Sequence, residues 1–290
     1  MNDGTISWGE LWNQTAARLG RPQARWMCEV ASGFDRDEFL AGLDLPATER
    51  GVAHLDAMLA RLETGEPLQY VLGRWEFRHL DLMVDRRVLI PRPETEMVVE
   101  IALRLARSLQ PPLVCVDLGT GSGAIGLSLA TELGRGDVVV WMTDCSTEAL
   151  DVARANTAGV GRAAANVRLA HGDWFGALPT ELRGRLALVV SNPPYVAVDD
   201  PQLEPRVRDW EPATALFGGR DGLDEIRRLI DQALQWLRPG GWLVIEIGAT
   251  HGRVVGELLA ATGYDEVEIT ADLSGHDRVA VARRRPADSP

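Results

Sequence analysis

Val114-Cys115-Val116-Asp117-Leu118-Gly119-Thr120-Gly121-Ser122-Gly123-Ala124-Ile125-Gly126 runs from apolar residues through an acid into closely spaced glycines, then into apolar residues again. This order predicts a buried strand, a tight turn and the start of a helix, since glycine accepts positive φ and lets the backbone approach a ligand. Amides at the head of such a helix favour an anionic group, a carboxylate or a phosphate. Gly121 to Gly126 also has the spacing of a dinucleotide-binding turn, and Asp144, just past the apolar run Val138 to Met142, stands where an acid would hold ribose hydroxyls. The glycines alone fit either a dinucleotide or another adenosine-bearing ligand.

Asp117 separates the two. An acid just before the turn repels a pyrophosphate but accepts from an ammonium, which the methionine part of S-adenosylmethionine carries. Working outward, Asp173-Trp174-Phe175 follows a third apolar run, Val167 to Ala170, where an acid or an aromatic ring meets adenine. A fourth run, Leu186 to Val190, ends in Ser191-Asn192-Pro193-Pro194-Tyr195. Two successive prolines remove two backbone donors and fix the chain direction, leaving nearby carbonyls free to accept from a substrate NH2. Asn192 adds a side-chain carbonyl and Tyr195 a flat face, a set that suits a planar amide or amino-purine. Taken singly, the elbow is also a plain turn, and Asp144 and Asp173 are ordinary surface or capping acids. In succession, the strand ends give a donor turn, a ribose acid, an adenine contact and an acceptor site.

Residues up to about 70 have helical spacing, with Leu11, Ala16 and Leu19 and again Val52, Leu55, Met58, Leu59 and Leu62 on one face. Trp8, Trp12 and Trp26 read as the core of this small helical domain rather than a contact surface. Pro67 and Gly73 break the pattern, and Trp75 to Val84 alternates as a hairpin or linker does. A helix over Thr95 to Leu109, capped by Thr95 or Glu94, precedes the strand-helix alternation of a parallel sheet. Gly240-Gly241 turns into a strand from Trp242 to Ile247, and Glu266 to Thr270 with Arg278 to Ala282 form a terminal antiparallel hairpin. The expected division is therefore 1–73 helical, 74–92 hairpin or linker, 93–283 the α/β domain, and 284–290 a mobile tail. Asp199 to Arg208, after the elbow, is long enough for a flexible lid.

At 290 residues, 46% hydrophobic and 25% charged, the chain has the composition of a globular protein of two parts. No run approaches a membrane span and Met1-Asn2-Asp3-Gly4 lacks a basic-then-apolar signal, so the expected compartment is the cytoplasm. The cysteines Cys28, Cys115 and Cys145 are scattered and read as buried thiols, and the five histidines make no local cluster, so no metal is expected. A net charge of −12 argues against a protein that grips nucleic acid through its phosphates and favours a basic protein partner.

The chain resembles the HemK/PrmC-type protein-glutamine methyltransferases that modify peptide chain release factors. The resemblance rests on Gly65-Glu66-Pro67-Leu68-Gln69-Tyr70-Val71-Leu72-Gly73, Leu89-Ile90-Pro91-Arg92-Pro93-Glu94-Thr95-Glu96, the glycine turn, the elbow, Glu211-Pro212, Gly218 to Leu223 and Leu237-Arg238-Pro239-Gly240-Gly241. It implies a Rossmann-like class I methyltransferase fold, with a mostly parallel seven-stranded sheet and an antiparallel terminal hairpin, behind an N-terminal helical domain that helps dock the partner. It implies S-adenosylmethionine as donor, S-adenosylhomocysteine as product, and the glutamine of the Gly-Gly-Gln loop of class 1 release factors as acceptor. Carried over by residue, Gly119, Thr120, Gly121, Ser122 and Gly123 wrap the methionine end, Asp144 takes the ribose, Trp174 the adenine region, and Asn192 with Pro193, as the catalytic pair, the glutamine amide; Asp117, Asp173, Pro194 and Tyr195 join them from the strand-end reading, and Asn192 is counted among the donor contacts as well. The elbow is shared with adenine-amino methyltransferases, so an adenine amino group is a competing acceptor, beside a ribosomal-protein glutamine; the third reading, a non-catalytic nucleotide-binding scaffold, is one that an intact elbow speaks against.

Overall fold

A computed structural model describes residues 6–134 and 137–286; Met1–Gly4 and the last four positions of the expected tail, 287–290, lie outside the described residues. The chain divides between Arg74 and Trp75 into two compact units.

The first unit is helical: α1 (Trp8–Leu19), α2 (Arg21–Ser32), α3 (Arg36–Ala41), α4 (Glu49–Glu63) and α5 (Leu68–Leu72). The starts of α1, α3 and α4 are set by short polar side chains, Ser7, Asp35 and Thr48, that satisfy the otherwise orphaned amides of a first turn. Ser7 and Glu10 form a reciprocal capping box on α1, as Asp35 and Glu38 do on α3. The apolar faces meet in a core of Trp8, Met27, Phe39, Leu55, Met58 and Val71, where the Trp8 and Trp12 rings stand edge-on to Phe39 at 6.4 and 6.0 Å. Trp8 is fully inside, while Trp12 and Trp26 are partly buried against it.

A hairpin, β1 (Arg74–Phe77) and β2 (Leu80–Met83), begins at the boundary residue and leads, in the second unit, to α6 (Pro93–Ser108). The sequence expectation of a Thr95 or Glu94 cap is corrected here. Arg92 occupies the cap position without a side-chain bond, because Pro93, with φ preset and no amide to satisfy, starts the helix. Then come β3 (Leu113–Leu118), α7 (Ala124–Leu133), β4 (Val138–Asp144), α8 (Thr147–Gly159), β5 (Val167–His171), β6 (Leu186–Ser191), α9 (Pro205–Trp210), α10 (Ala213–Leu216), α11 (Asp224–Trp236), β7 (Leu237–Glu246), α12 (Gly252–Thr262), β8 (Tyr264–Ala271) and β9 (Asp277–Arg284). Among the described residues the main sheet has seven strands in the order β5-β4-β3-β6-β7-β9-β8, parallel except where β9 pairs with β7 and β8. All six residues of β6 are buried, as a central strand covered on both faces requires. Ile226, Leu229, Ile230 and Ala233 of α11 recur at helical spacing and close one face over Val189, Leu243 and Ile245. Gly240-Gly241 lies inside β7 at a shift of register, rather than in a turn before it.

Strand order reverses at β3: the chain runs through β4 and β5 on one side and returns through β6 and β7 on the other. In open sheets of this kind the crevice beyond the strand ends at that reversal takes the ligand. Register lines up Leu118 with Thr143 and Ser191, Thr143 with Ala170, and Ser191 with Ile245, so one row crosses five strands. The residues immediately after that row emerge along one edge.

Candidate active site

A cavity of about 350 Å³ opens at that edge, within the range of small-molecule sites. Gly119, Thr120, Gly121, Ser122, Asp144, Asp173, Trp174, Asn192 and Pro194 line it, together with Val88, Leu89 and Pro91 from the segment before α6 and Thr95 from α6 itself. Of the residues expected from sequence, Asp117, Gly123 and Pro193 are not on this wall, and Tyr195 lines a second, adjoining cavity of about 120 Å³. Asn192 lines both.

On the first side the turn after β3 carries Gly119 at φ 71°, where a side chain would be strained and would meet the Trp174 ring at 3.3 Å. Gly123 has a packing duty instead: at φ 90° it heads α7, and a Cβ there would come within 2.9 Å of Met142. Asp144 closes β4 and holds the turn, its Oδ2 accepting from the Gly121 amide at 2.9 Å and its Oδ1 from the Ser146 amide at 2.9 Å. Trp174 donates its indole N–H to Glu225 at 2.6 Å, and Asp173 is paired with Arg228 at 2.5 Å.

Asp117 is fully buried behind the turn. Its Oδ2 accepts from the Thr120 hydroxyl at 2.5 Å and the Gly126 amide at 2.9 Å, while Oδ1 is buried without a partner among the described residues. Burial pushes its carboxyl up to about 7, against the pull of those two bonds. Its visible duty is to brace the turn. Cys145, expected to be buried, is exposed and borders the cavity, because β4 ends at Asp144 and the next residue is already outside the sheet.

The second side is built from side chains. Asn192 Nδ2 donates to Thr95 Oγ1 at 3.2 Å, Thr95 Oγ1 donates to Glu246 Oε2 at 2.6 Å, and Tyr195 Oη donates to Glu246 Oε1 at 2.9 Å. Glu246 is wholly buried, and desolvation raises its carboxyl above the ordinary range, opposed by the two hydroxyls and Arg278. Tyr195 is likewise held protonated by burial and by the neighbouring carboxylate. Nearby, the buried Glu211 accepts from Arg92 at 2.5 Å and from the Ile90 amide at 3.2 Å, fastening the segment that borders the cavity. The stretch expected as a lid runs into the first part of α9, and Leu203 and Val207 within it line the second cavity.

Sequence reasoning missed Thr95, Glu246 and Glu225. Glu246 had a signal, a lone acid inside the apolar run Leu243 to Ile247, since a charge there needs a partner. Thr95 and Glu225 had none, because their partners are far along the chain. Among the described residues no group of His, Cys, Asp and Glu could hold a metal ion, and no helix is long and apolar enough to cross a membrane.

A mostly parallel sheet with an antiparallel edge hairpin, and at its reversal a glycine turn, the acid Asp144 and the Asn192-Pro193-Pro194-Tyr195 elbow around one cavity, define a Rossmann-like S-adenosylmethionine-dependent methyltransferase. Residues 103–205 match the methyltransferase small domain and residues 14–73 the PrmC N-terminal domain. A release factor glutamine methyltransferase of Xylella fastidiosa (strain 9a5c) is 40% identical over 94% of this chain and 96% of its own. That of Escherichia coli (strain K12) is 36% identical over 92% and 94%. The fold is similar to a methyltransferase from Pyrococcus furiosus, at a TM-score of 0.52 and 20% identity over 79% of this chain and 99% of that one. The chain belongs to the release factor glutamine methyltransferases.

Proposed function

We propose that the chain transfers a methyl group from S-adenosylmethionine to the side-chain amide nitrogen, N5, of the glutamine in the Gly-Gly-Gln motif of class 1 peptide chain release factors. The observation that carries this reading is Asn192. It borders both cavities, its nitrogen is engaged by Thr95, and its oxygen has no partner among the described residues. A side-chain carbonyl so placed accepts from an amide N–H.

The donor cavity fits an adenosyl and methionyl group by its chemistry. In this reading the turn Gly119 through Gly123 wraps the methionine end, Asp144 takes the ribose hydroxyls, Trp174 and Asp173 the adenine region, and Asp117 braces the turn from behind. The donor supplies an electrophilic methyl. An amide nitrogen is a poor nucleophile because its lone pair is delocalised, so the chain's task is orientation. Asn192 Oδ1 and the Pro193 carbonyl accept the two N–H groups, turn the lone pair toward the methyl and stabilise positive charge growing on nitrogen. The alkylated nitrogen sheds its proton afterwards, so no strong base is required. Pro194 walls the first cavity and Tyr195 the second, on the acceptor side.

A net charge of −12 suits a basic protein partner better than a nucleic acid, so we assign a protein acceptor; no metal and the cytoplasm as the compartment complete the proposal. The test is mass spectrometry after incubation with labelled donor and, separately, release factor, ribosomes or DNA. One methyl group on the Gly-Gly-Gln peptide is expected; label in ribosomal protein or DNA alone overturns the reading.

A further inference from the structure

The acceptor side contains a chain of hydrogen bonds whose direction is set from its buried end. Glu246 sits at the end of β7, wholly enclosed, with each oxygen occupied by a hydroxyl: Tyr195 on Oε1 at 2.9 Å and Thr95 on Oε2 at 2.6 Å. An ionised carboxylate only accepts, so both hydroxyls must donate to it. A threonine hydroxyl has one hydrogen. Once that hydrogen points at Glu246, Thr95 Oγ1 can only accept from its other neighbour, the side-chain amide of Asn192 at 3.2 Å. The amide then has one favourable orientation, nitrogen toward Thr95 and oxygen toward the acceptor. The flipped amide would set its oxygen against the oxygen of the buried Thr95 hydroxyl, an acceptor facing an acceptor, and the bond would be lost.

We infer that Thr95 and Glu246 are positioning residues of the methyl transfer: the Glu246 carboxylate orders the Thr95 hydroxyl, and Thr95 thereby fixes Asn192 with its carbonyl oxygen turned to the substrate amide. This rests on the proposed function, in which that oxygen accepts from the glutamine N–H. Neither residue touches a reacting atom; both act through Asn192. The carboxylate is a better director than a neutral amide, because a group carrying its own hydrogen can present that hydrogen to Thr95 and reverse the whole sequence. Protonation of Glu246 on Oε2 would do so, making Thr95 the acceptor there and a donor toward Asn192. The charged and titratable groups around Glu246 are Arg278 from β9, Glu94 from α6 and Tyr195 from the elbow; Arg278 and the two hydroxyls favour the ionised form, while burial and Glu94 oppose it.

The test uses the full chain with intact release factor, measuring kcat, KM for the release factor and donor Kd by calorimetry. Thr95→Val keeps the shape and removes the hydroxyl; kcat should fall roughly 10- to 100-fold with donor Kd changed less than about threefold. Thr95→Ser, which keeps the hydroxyl, should stay within about threefold of the parent kcat. Glu246→Gln should lower kcat and remove whatever acid limb the parent shows in its kcat against pH. A Thr95→Val enzyme with parental kcat, or a Thr95→Ser enzyme as damaged as Thr95→Val, overturns the proposal. Should Thr95→Val fail to fold, Thr95→Ser against the near-isosteric Thr95→Cys decides it: the hydroxyl variant must exceed the thiol variant about tenfold in kcat, and equality overturns the proposal. A parent chain that leaves the Gly-Gly-Gln peptide unmethylated refutes the functional reading itself; a parent that methylates it beside a fully active Thr95→Val refutes only the positioning role.

Discussion

The two sides of the cleft are made of different material. The side proposed for the donor centres on a backbone device, a glycine turn held by Asp144 and by Asp117 behind it, and that turn with its two acids lies within 27 residues along the chain, Asp117 to Asp144. The acceptor side is a side-chain device, in which Asn192 meets Thr95 across 97 positions and Thr95 meets Glu246 across 151. A backbone turn tolerates loss of any one side chain around it better than a relay does, because its donors belong to the main chain and survive substitution. The relay has one route, and each member depends on the next.

That contrast is open to direct attack. Asn192→Ala removes the acceptor-facing carbonyl and should cost roughly 10²- to 10³-fold in kcat while donor affinity, read by calorimetry, stays within a fewfold. Loss of donor binding in parallel would erase the boundary between the two sides.

Asp117 is the donor side's one buried charge. Its folded value, about 7, lies above the ordinary 3.8, so the folded protein binds this proton more tightly than the unfolded chain does. Stability from this group is therefore present at acid pH and lost as pH rises from about 4 to about 7. Asp117→Asn keeps an oxygen for Thr120 and Gly126 without the charge. Relative to the parent it should gain on the order of 4 kcal/mol in urea unfolding between pH 4 and pH 8. An unchanged difference across that window would mean that Asp117 is already ionised in the fold.

Asp144→Ala should weaken donor binding by about tenfold, with kcat at saturating donor nearly preserved, since one charged hydrogen-bonding partner is lost and the main-chain amides remain. An equal fall in kcat would show that donor and acceptor sides are not separable. The smallest effect is expected at Asn156, whose Nδ2 donates to the carbonyls of Ser122 and Met83 and whose Oδ1 accepts from the Met83 amide, tying the glycine turn to β2. Asn156→Ala should lower unfolding free energy by about 1 to 3 kcal/mol with little change in kcat at saturating donor.

The same contrast explains what could be read in advance. Asp117 through Gly126 announces strand, turn and helix in consecutive residues, and Leu186 through Tyr195 announces a buried strand and its elbow, because local patterns carry local geometry. Thr95 was legible only as a helix cap, a role that Pro93 had already made unnecessary. Its real partners are brought to it by the sheet: β7 lies beside β6, which puts the end of one strand next to the elbow that follows the other. Glu246 stood out as an acid among Leu243, Val244, Ile245 and Ile247, yet nothing in the sequence says which hydroxyls answer it. Asp117 was read as facing the ligand; the structure puts it behind the turn, because it still belongs to β3 and its side chain is enclosed with Thr120 and Gly126.

The transverse alignment of Leu118, Thr143, Ala170, Ser191 and Ile245 acts as a datum from which every working group is measured. A strand advances about 3.3 Å per residue and alternates sides at each step. Inserting one residue within β6 would displace Asn192 by more than a hydrogen-bond length and turn it to the opposite face, whereas the same insertion in the loop between β5 and β6 would leave the datum untouched. Tolerance to length variation should therefore change sharply from loop to strand, over a distance of one or two residues.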